Sequence, residues 1–202
     1  MAKSRKKCVF LIFLTRNLHM SKKSSTFVPE FLIIGRIMQH YLILAEDGER
    51  TLIPEVEKAF GCSLGEYEVI VTGVGAINVI RSLSGLERDA ELLNIGHAGS
   101  ANFEIGTLVE VTEVRLNHPC VTYPEPVLPL STFDFRLSTL TQSPCYSNCD
   151  FVLQSDYRDC VFDMELAFIA ALGFRTLHSI KHVSDNLSLH TYRETASGVA
   201  PA

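Results

Sequence analysis

Carboxylates stand at three places in this sequence where an α/β protein would turn them toward a ligand. The first is the loop Glu46, Asp47, Glu49, which follows the apolar run Tyr41–Leu44. The second is Glu165, beside Met164 in the helix-patterned stretch Phe162–Leu172. The third is Asp185 in Ser184–Asp185–Asn186, directly after the strand-patterned run Leu177–Val183. A carboxyl group whose pKa is raised by burial or by a second carboxylate can act as a general acid. Each also has a plain structural reading. The acidic loop serves as a solvated turn, Glu165 as a charge favoured at a helix start, and Asp185 as the cap of a following helix.

Glycines mark two further places. Gly73–Val74–Gly75 has Ile77 and Asn78 where a dinucleotide fingerprint needs its third glycine, and no Gly-Lys-Ser or Gly-Lys-Thr follows. Both cofactor loops are therefore disfavoured. What remains is a tight turn whose N–H groups, Gly75 among them, meet an anion or a hydroxyl. The second turn, Asn94–Ser100, carries little side chain, so a planar ligand has access to its backbone. His97 belongs to that turn, either as a structural histidine or facing the ligand. Cys145 and Cys149 lie four apart, and Cys160 with a histidine would approach a zinc-like count, but no second close pair exists. No metal is expected. His178 and His182 are also four apart, within a run that alternates like a strand and so buries them or sets them at its edge.

The elements that would position these residues follow from their patterns. Between Glu66 and Glu113, two apolar runs (Val69–Val71 and Leu92–Ile95) each lead into glycines, with the helix-patterned Ala76–Leu86 between them. Strand, turn, helix, strand is an α/β unit, and ligands of such sheets bind beyond the carboxyl ends of the strands. Pro54 opens a helix over Ile53–Phe60 and Gly61 closes it. Thr107–Val114 reads as a further strand. The prolines at 119, 124, 126 and 129 leave 115–144 a covering or partner-contacting loop, with a short strand near Phe133 and Phe135. The fold expected is α/β: a single domain with a mixed, twisted sheet flanked by helices.

Composition bounds the function. With 47% hydrophobic and 20% charged residues over 202 positions, the chain is globular and long enough for one sizeable core. A net charge of −5 favours neither nucleic acid nor an anionic membrane. Six scattered cysteines (8, 62, 120, 145, 149, 160) suit free thiols in a reduced, cytoplasmic setting. Residues 1–37 differ from the rest. Lys3, Arg5, Lys6 and Lys7 precede the apolar run Cys8–Leu14, which is short for a secretory core and lacks a cleavage site close behind it. They read as an extension outside the core, disordered or loosely packed, and Met38 stands where such a domain would begin.

In order, TGVGAIN at 72–78, NIGHAGS at 94–100 with GTLVEV at 106–111, SNCDFV at 147–152, DME at 163–165 and SDN at 184–186 resemble the nucleoside phosphorylase and nucleosidase superfamily. Within it the chain is most similar to enzymes that hydrolyse methylthioadenosine and adenosylhomocysteine, over about Tyr41 to Tyr192. The resemblance implies a phosphorylase/hydrolase-like fold and cleavage of a purine nucleoside's N-glycosidic bond by water. The alternatives are phosphorolysis, with phosphate as co-substrate, and an inactive relative that binds nucleosides. It implies that Met164 and Glu165 hold the ribose, that Asp185 faces purine N7 with Ser184 in support, and that Phe151 stacks near the base. Glu49 matches the residue that activates water, and His97 falls where the family meets its nucleophile. It further implies a homodimer and no cofactor. Residues 38–202 depart from the family in three short segments: Gly61–Gly65, the stretch between SNCDFV and DME, and the C-terminus.

Overall fold

A computed structural model describes residues 38–61, 63–117, 127–131 and 140–196. The segment 1–37 and the pair Phe133 and Phe135 lie outside the described residues.

Among those residues, eight strands form one mixed sheet: β1 His40–Leu44, β2 Glu68–Val71, β3 Glu91–Gly99, β4 Leu108–Leu116, β5 Val127–Pro129, β6 Thr141–Ser147, β7 Val161–Asp163 and β8 Thr176–Asp185. Four helices pack on it: α1 Ile53–Phe60, α2 Ala76–Leu83, α3 Leu166–Ala171 and α4 Leu189–Ala196. β1 lies parallel to both β2 and β3. β8 runs parallel to β3 and antiparallel to β4, while β6 runs parallel to β4 and β7. β7 returns to β3 through the pair Gly99–Phe162. The pairings β3–β8–β4–β6–β7 thus close into a ring. The expected single α/β domain with a mixed sheet is what is found, with this closure added.

Alternation along β1 sorts the core. Tyr41 and Ile43 join one cluster with Val79 and Leu83 of α2 and Leu166 and Ile169 of α3. Leu42 and Leu44 join the other with Leu52, Val56 of α1, Leu93 and Ile95. β3 and β8 are buried on both faces, as inner strands covered by helices must be. Pro54 stands in the first turn of α1, and Gly61 closes that helix at φ 65°.

Several expectations are corrected. The turn expected at Asn94–Ser100 is strand through Gly99, so its glycines do not bend the chain. α2 ends at Leu83, short of Leu86. Phe162 belongs to β7, and α3 starts only after Glu165. The segment 115–144, expected as a loop, contains β5 and the start of β6. Pro144 hid β6. It sits where the β4–β6 register shifts, between the pairs Val111–Ser143 and Val114–Cys145, so no ladder bond needs its missing N–H. A second shift lies in β8, where Ala98 pairs with Val183 but Gly99 pairs with Asp185. Ser184 is the extra residue of that bulge.

Candidate active site

β1 ends in a 3-10 helix, Asp47–Leu52, that turns one of the three loop carboxylates inward. Asp47 stays outside, paired with Arg50 at 2.6 Å. Glu49 is buried. Its Oε1 accepts from His97 N at 2.9 Å, and its Oε2 accepts from Ala45 N at 2.6 Å and Glu46 N at 3.1 Å. Burial raises its pKa, and these N–H groups and Lys181 oppose the rise. The absence of a side chain at Gly96 admits this carboxylate: a Cβ there would lie 2.9 Å from Glu49 Oε1.

Glu165 stands at the junction of β7 and α3. Gly75 N donates to its Oε1 at 2.9 Å and Met164 N to its Oε2 at 3.3 Å. The glycine turn after β2 therefore spends the Gly75 N–H on a carboxylate. Burial, with Asp163 adding repulsion, lifts the Glu165 pKa to about 7. Beneath it lies an ion pair: Lys181 Nζ meets Asp163 Oδ2 at 2.6 Å with both side chains shut off from solvent. Burial by itself would lower the Lys181 pKa, but Asp163, Cys145 and Glu165 together raise it. Asp163 also accepts from Ser147 Oγ and from Leu166 N, which fixes the start of α3.

Asp185 closes β8. Its Oδ2 accepts from Ser184 Oγ at 2.8 Å, and its Oδ1 accepts from Leu187 N at 2.9 Å and Ser188 N at 3.3 Å. The expected capping role is not what is found: those N–H groups precede α4, and Ser188 caps that helix by accepting from Thr191 N, while Asp185 braces the turn before it and stays in place for chemistry. Burial raises its pKa against those donors. Gly99 gives it room, since a Cβ there would lie 2.8 Å from Asp185 Oδ1.

These groups surround one cavity of about 210 Å³. Glu49, His97, Phe151, Met164, Glu165, Ser184 and Asp185 all line it, joined by Glu46, Phe162, Leu187 and Tyr192. Gly75 stands behind Glu165 rather than on the wall. The His97 ring faces His182 with Nδ1 atoms 3.3 Å apart. Burial, followed by His182 and Lys181, lowers the His97 pKa to about 4, so the ring is neutral at physiological pH. Cys145 and Cys160 are buried and Cys149 is exposed, all as free thiols. Among the described residues no group of three or more His, Cys, Asp or Glu could hold a metal ion.

Sequence reasoning had Glu46 only as one of three loop carboxylates, and it missed the roles of Lys181, Asp163 and Tyr192. For Lys181 a signal existed: a lysine inside a strand buried on both faces requires a buried partner. Tyr192 carried none, because the α4 sequence is polar around it.

No family model and no curated protein matches the sequence. The fold does have likenesses among solved structures. A nucleosidase (MTAN) of Chlamydia trachomatis superposes with a TM-score of 0.60 at 20% identity, over 79% of this chain and 90% of its own. The 5′-methylthioadenosine/S-adenosyl homocysteine nucleosidase of Helicobacter pylori gives 0.58 at 16%, over 80% and 92%. A futalosine hydrolase mutant from Helicobacter pylori gives 0.59 at 16%, over 80% and 91%. The fold implied by the sequence motifs is therefore the fold observed.

Proposed function

We propose that this chain, which has the fold of the methylthioadenosine/adenosylhomocysteine nucleosidases, hydrolyses the N-glycosidic bond of a purine nucleoside. One observation carries the reading. Three carboxyl groups from separate elements, Glu49, Glu165 and Asp185, surround one cavity, and each is held by two or three N–H or O–H donors. A merely structural acid would not need that arrangement three times around one space.

The chemistry follows from their positions. Glu165 accepts from the two vicinal ribose hydroxyls, a task a carboxylate's paired oxygens suit, and Met164 packs on the sugar. Phe151 lies against the base. As the C1′–N9 bond breaks, its electron pair leaves with the purine, and the protonated carboxyl of Asp185 donates to N7. A raised pKa favours that protonated form. Ser184 holds the Asp185 carboxyl in orientation. Water then adds at the anomeric carbon and gives its proton to Glu49, which burial makes more basic than a surface carboxylate. His97, neutral and amphoteric, borders the place of that water. The products are a free base and a ribose derivative.

Water is favoured over phosphate as the nucleophile because the described lining of the cavity carries no arginine or lysine. Arg50 is engaged outside with Asp47. We further propose a cytoplasmic homodimer that needs no cofactor. Ile77 and Ile80 stand 74% and 47% exposed on α2, an apolar pair suited to a second copy. No helix among the described residues is long and apolar enough to cross a membrane.

Product chromatography tests the reading, with methylthioadenosine, inosine and adenosine, each with and without phosphate. Free base and unphosphorylated sugar, formed at a rate indifferent to phosphate, are expected. A pentose 1-phosphate would reassign the reaction to phosphorolysis, and unchanged nucleoside throughout would leave a binding protein.

A further inference from the structure

The cavity has a second polar end. There the loop after β1 and helix α4 meet: Tyr192 Oη donates to Glu46 Oε2 at 3.4 Å, and both side chains line the cavity. The Tyr192 ring is wedged between Phe151, at 5.6 Å, and His97, at 6.3 Å edge to face. Its hydroxyl is therefore held at a fixed point. Burial and the nearby Glu46 and Glu49 push the Tyr192 pKa up to about 12, so the hydroxyl keeps its proton. Glu46 remains exposed, and the bonds from Tyr192 and from the Glu49 N–H of its capping box still leave acceptor sites of the carboxylate open. Lys181, near Glu49 and Glu165, is committed to Asp163. An end built this way attracts donors and cations and repels anions.

We infer that this end receives the 5′ group of the nucleoside and selects one bearing a hydrogen-bond donor, a hydroxyl or an ammonium, over a methylthio group. The inference rests on the nucleosidase reading above. With Asp185 assigned to the base, Glu165 to the vicinal hydroxyls and Glu49 to the water, Glu46 and Tyr192 are a bonded polar pair of the lining that hydrolysis leaves unused and that the remaining sugar substituent can meet. A thioether there offers these acceptors nothing and takes water away from them. Sites made to bond a substrate's O–H or N–H discriminate strongly against analogues lacking it.

The test is kcat/KM of the full chain with 5′-amino-5′-deoxyadenosine, adenosine and methylthioadenosine, alongside calorimetric Kd values for the same compounds on Asp185→Asn. The amino and hydroxyl compounds should exceed methylthioadenosine by about tenfold or more. Glu46→Gln should lower kcat/KM for the amino compound more than for the methylthio compound. Should Glu46→Gln fail to fold, Tyr192→Phe is read in its place, with the loss largest for adenosine. If methylthioadenosine is cleaved as well as the others, the inference is overturned and the nucleosidase reading stands. If none is cleaved but Asp185→Asn binds them in the expected order, the inference stands and hydrolysis does not. If none is cleaved or bound, both are overturned.

Discussion

Lys181 and Asp163 come from different strands and meet at 2.6 Å with no solvent access to either side chain. Removing one partner strands the other's charge in the interior, which typically costs about 3–5 kcal/mol. Lys181→Met should lower the melting temperature by roughly 6–20 °C for a domain of this size. Pairing it with Asp163→Leu should restore a large part of that loss, because no lone charge remains. A thermal melt of both variants checks this, and a double variant no more stable than Lys181→Met would contradict it.

Asp185→Asn should keep the fold, since the asparagine carbonyl oxygen still accepts from Leu187 N and Ser188 N in the turn before α4. An amide has no acidic proton for N7. kcat should fall by about 10²–10⁴ with KM little changed. Steady-state hydrolysis with circular dichroism as the folding control decides it. A folded variant keeping more than about a tenth of wild-type kcat removes the acid role.

Glu165, raised to about 7, gives the pH dependence. Its ionised form is the one that accepts from both ribose hydroxyls, so kcat/KM should rise with pH through about 7, and Glu165→Gln should flatten that limb. For stability the sign is the reverse. Between the ordinary value of 4.5 and about 7 the folded chain binds more protons here than the unfolded one. This group's contribution to stability therefore falls as pH rises through that window. Melting temperatures of wild type and Glu165→Gln should draw apart from pH 5 to pH 7, with wild type losing ground.

Gly99→Ala would set a Cβ 2.8 Å from Asp185 Oδ1 and 3.1 Å from Leu187 Cδ2. The carboxyl must shift, and displacements near 1 Å in a reacting group cost on the order of 10² in rate. Activity should fall far more than melting temperature. Equal, small effects on both would mean that Asp185 tolerates displacement.

Sedimentation at micromolar concentration should give a species of twice the chain mass, and Ile77→Glu should shift it toward the monomer. A wild type that sediments as a monomer would sink the dimer proposal.

The strands with clean apolar runs, β1 to β4 and β8, were legible in the sequence, as were α1 and α2 through Pro54, Gly61 and period. β6 was not, because its residues are polar and include Pro144. β7 was absorbed into a helix because three residues carry no period of their own. Seven of the expected site residues share one cavity, since a strand's carboxyl end is readable from where its apolar run stops. What pairs with what across the sheet is not readable that way. Asp163 and Lys181 are 18 positions apart and meet only because the ring closes. The glycines at 96 and 99 were read as a bend; they are clearances, a role set by carboxylates distant in sequence.

The bulge at Ser184 gives β8 an unusual vulnerability. In a regular strand one residue fewer flips every later side chain to the opposite face. At the bulge the rule fails, because Ser184 is the extra residue: deleting it would leave Lys181, His182 and Val183 in their pairings and Asp185 opposite Gly99, and would remove only the hydroxyl that holds the Asp185 carboxyl. A frame-preserving loss of that single codon would thus strip one cavity carboxyl of its support while leaving nearly the whole sheet assembled, a lesion that abundance or solubility assays would pass as harmless.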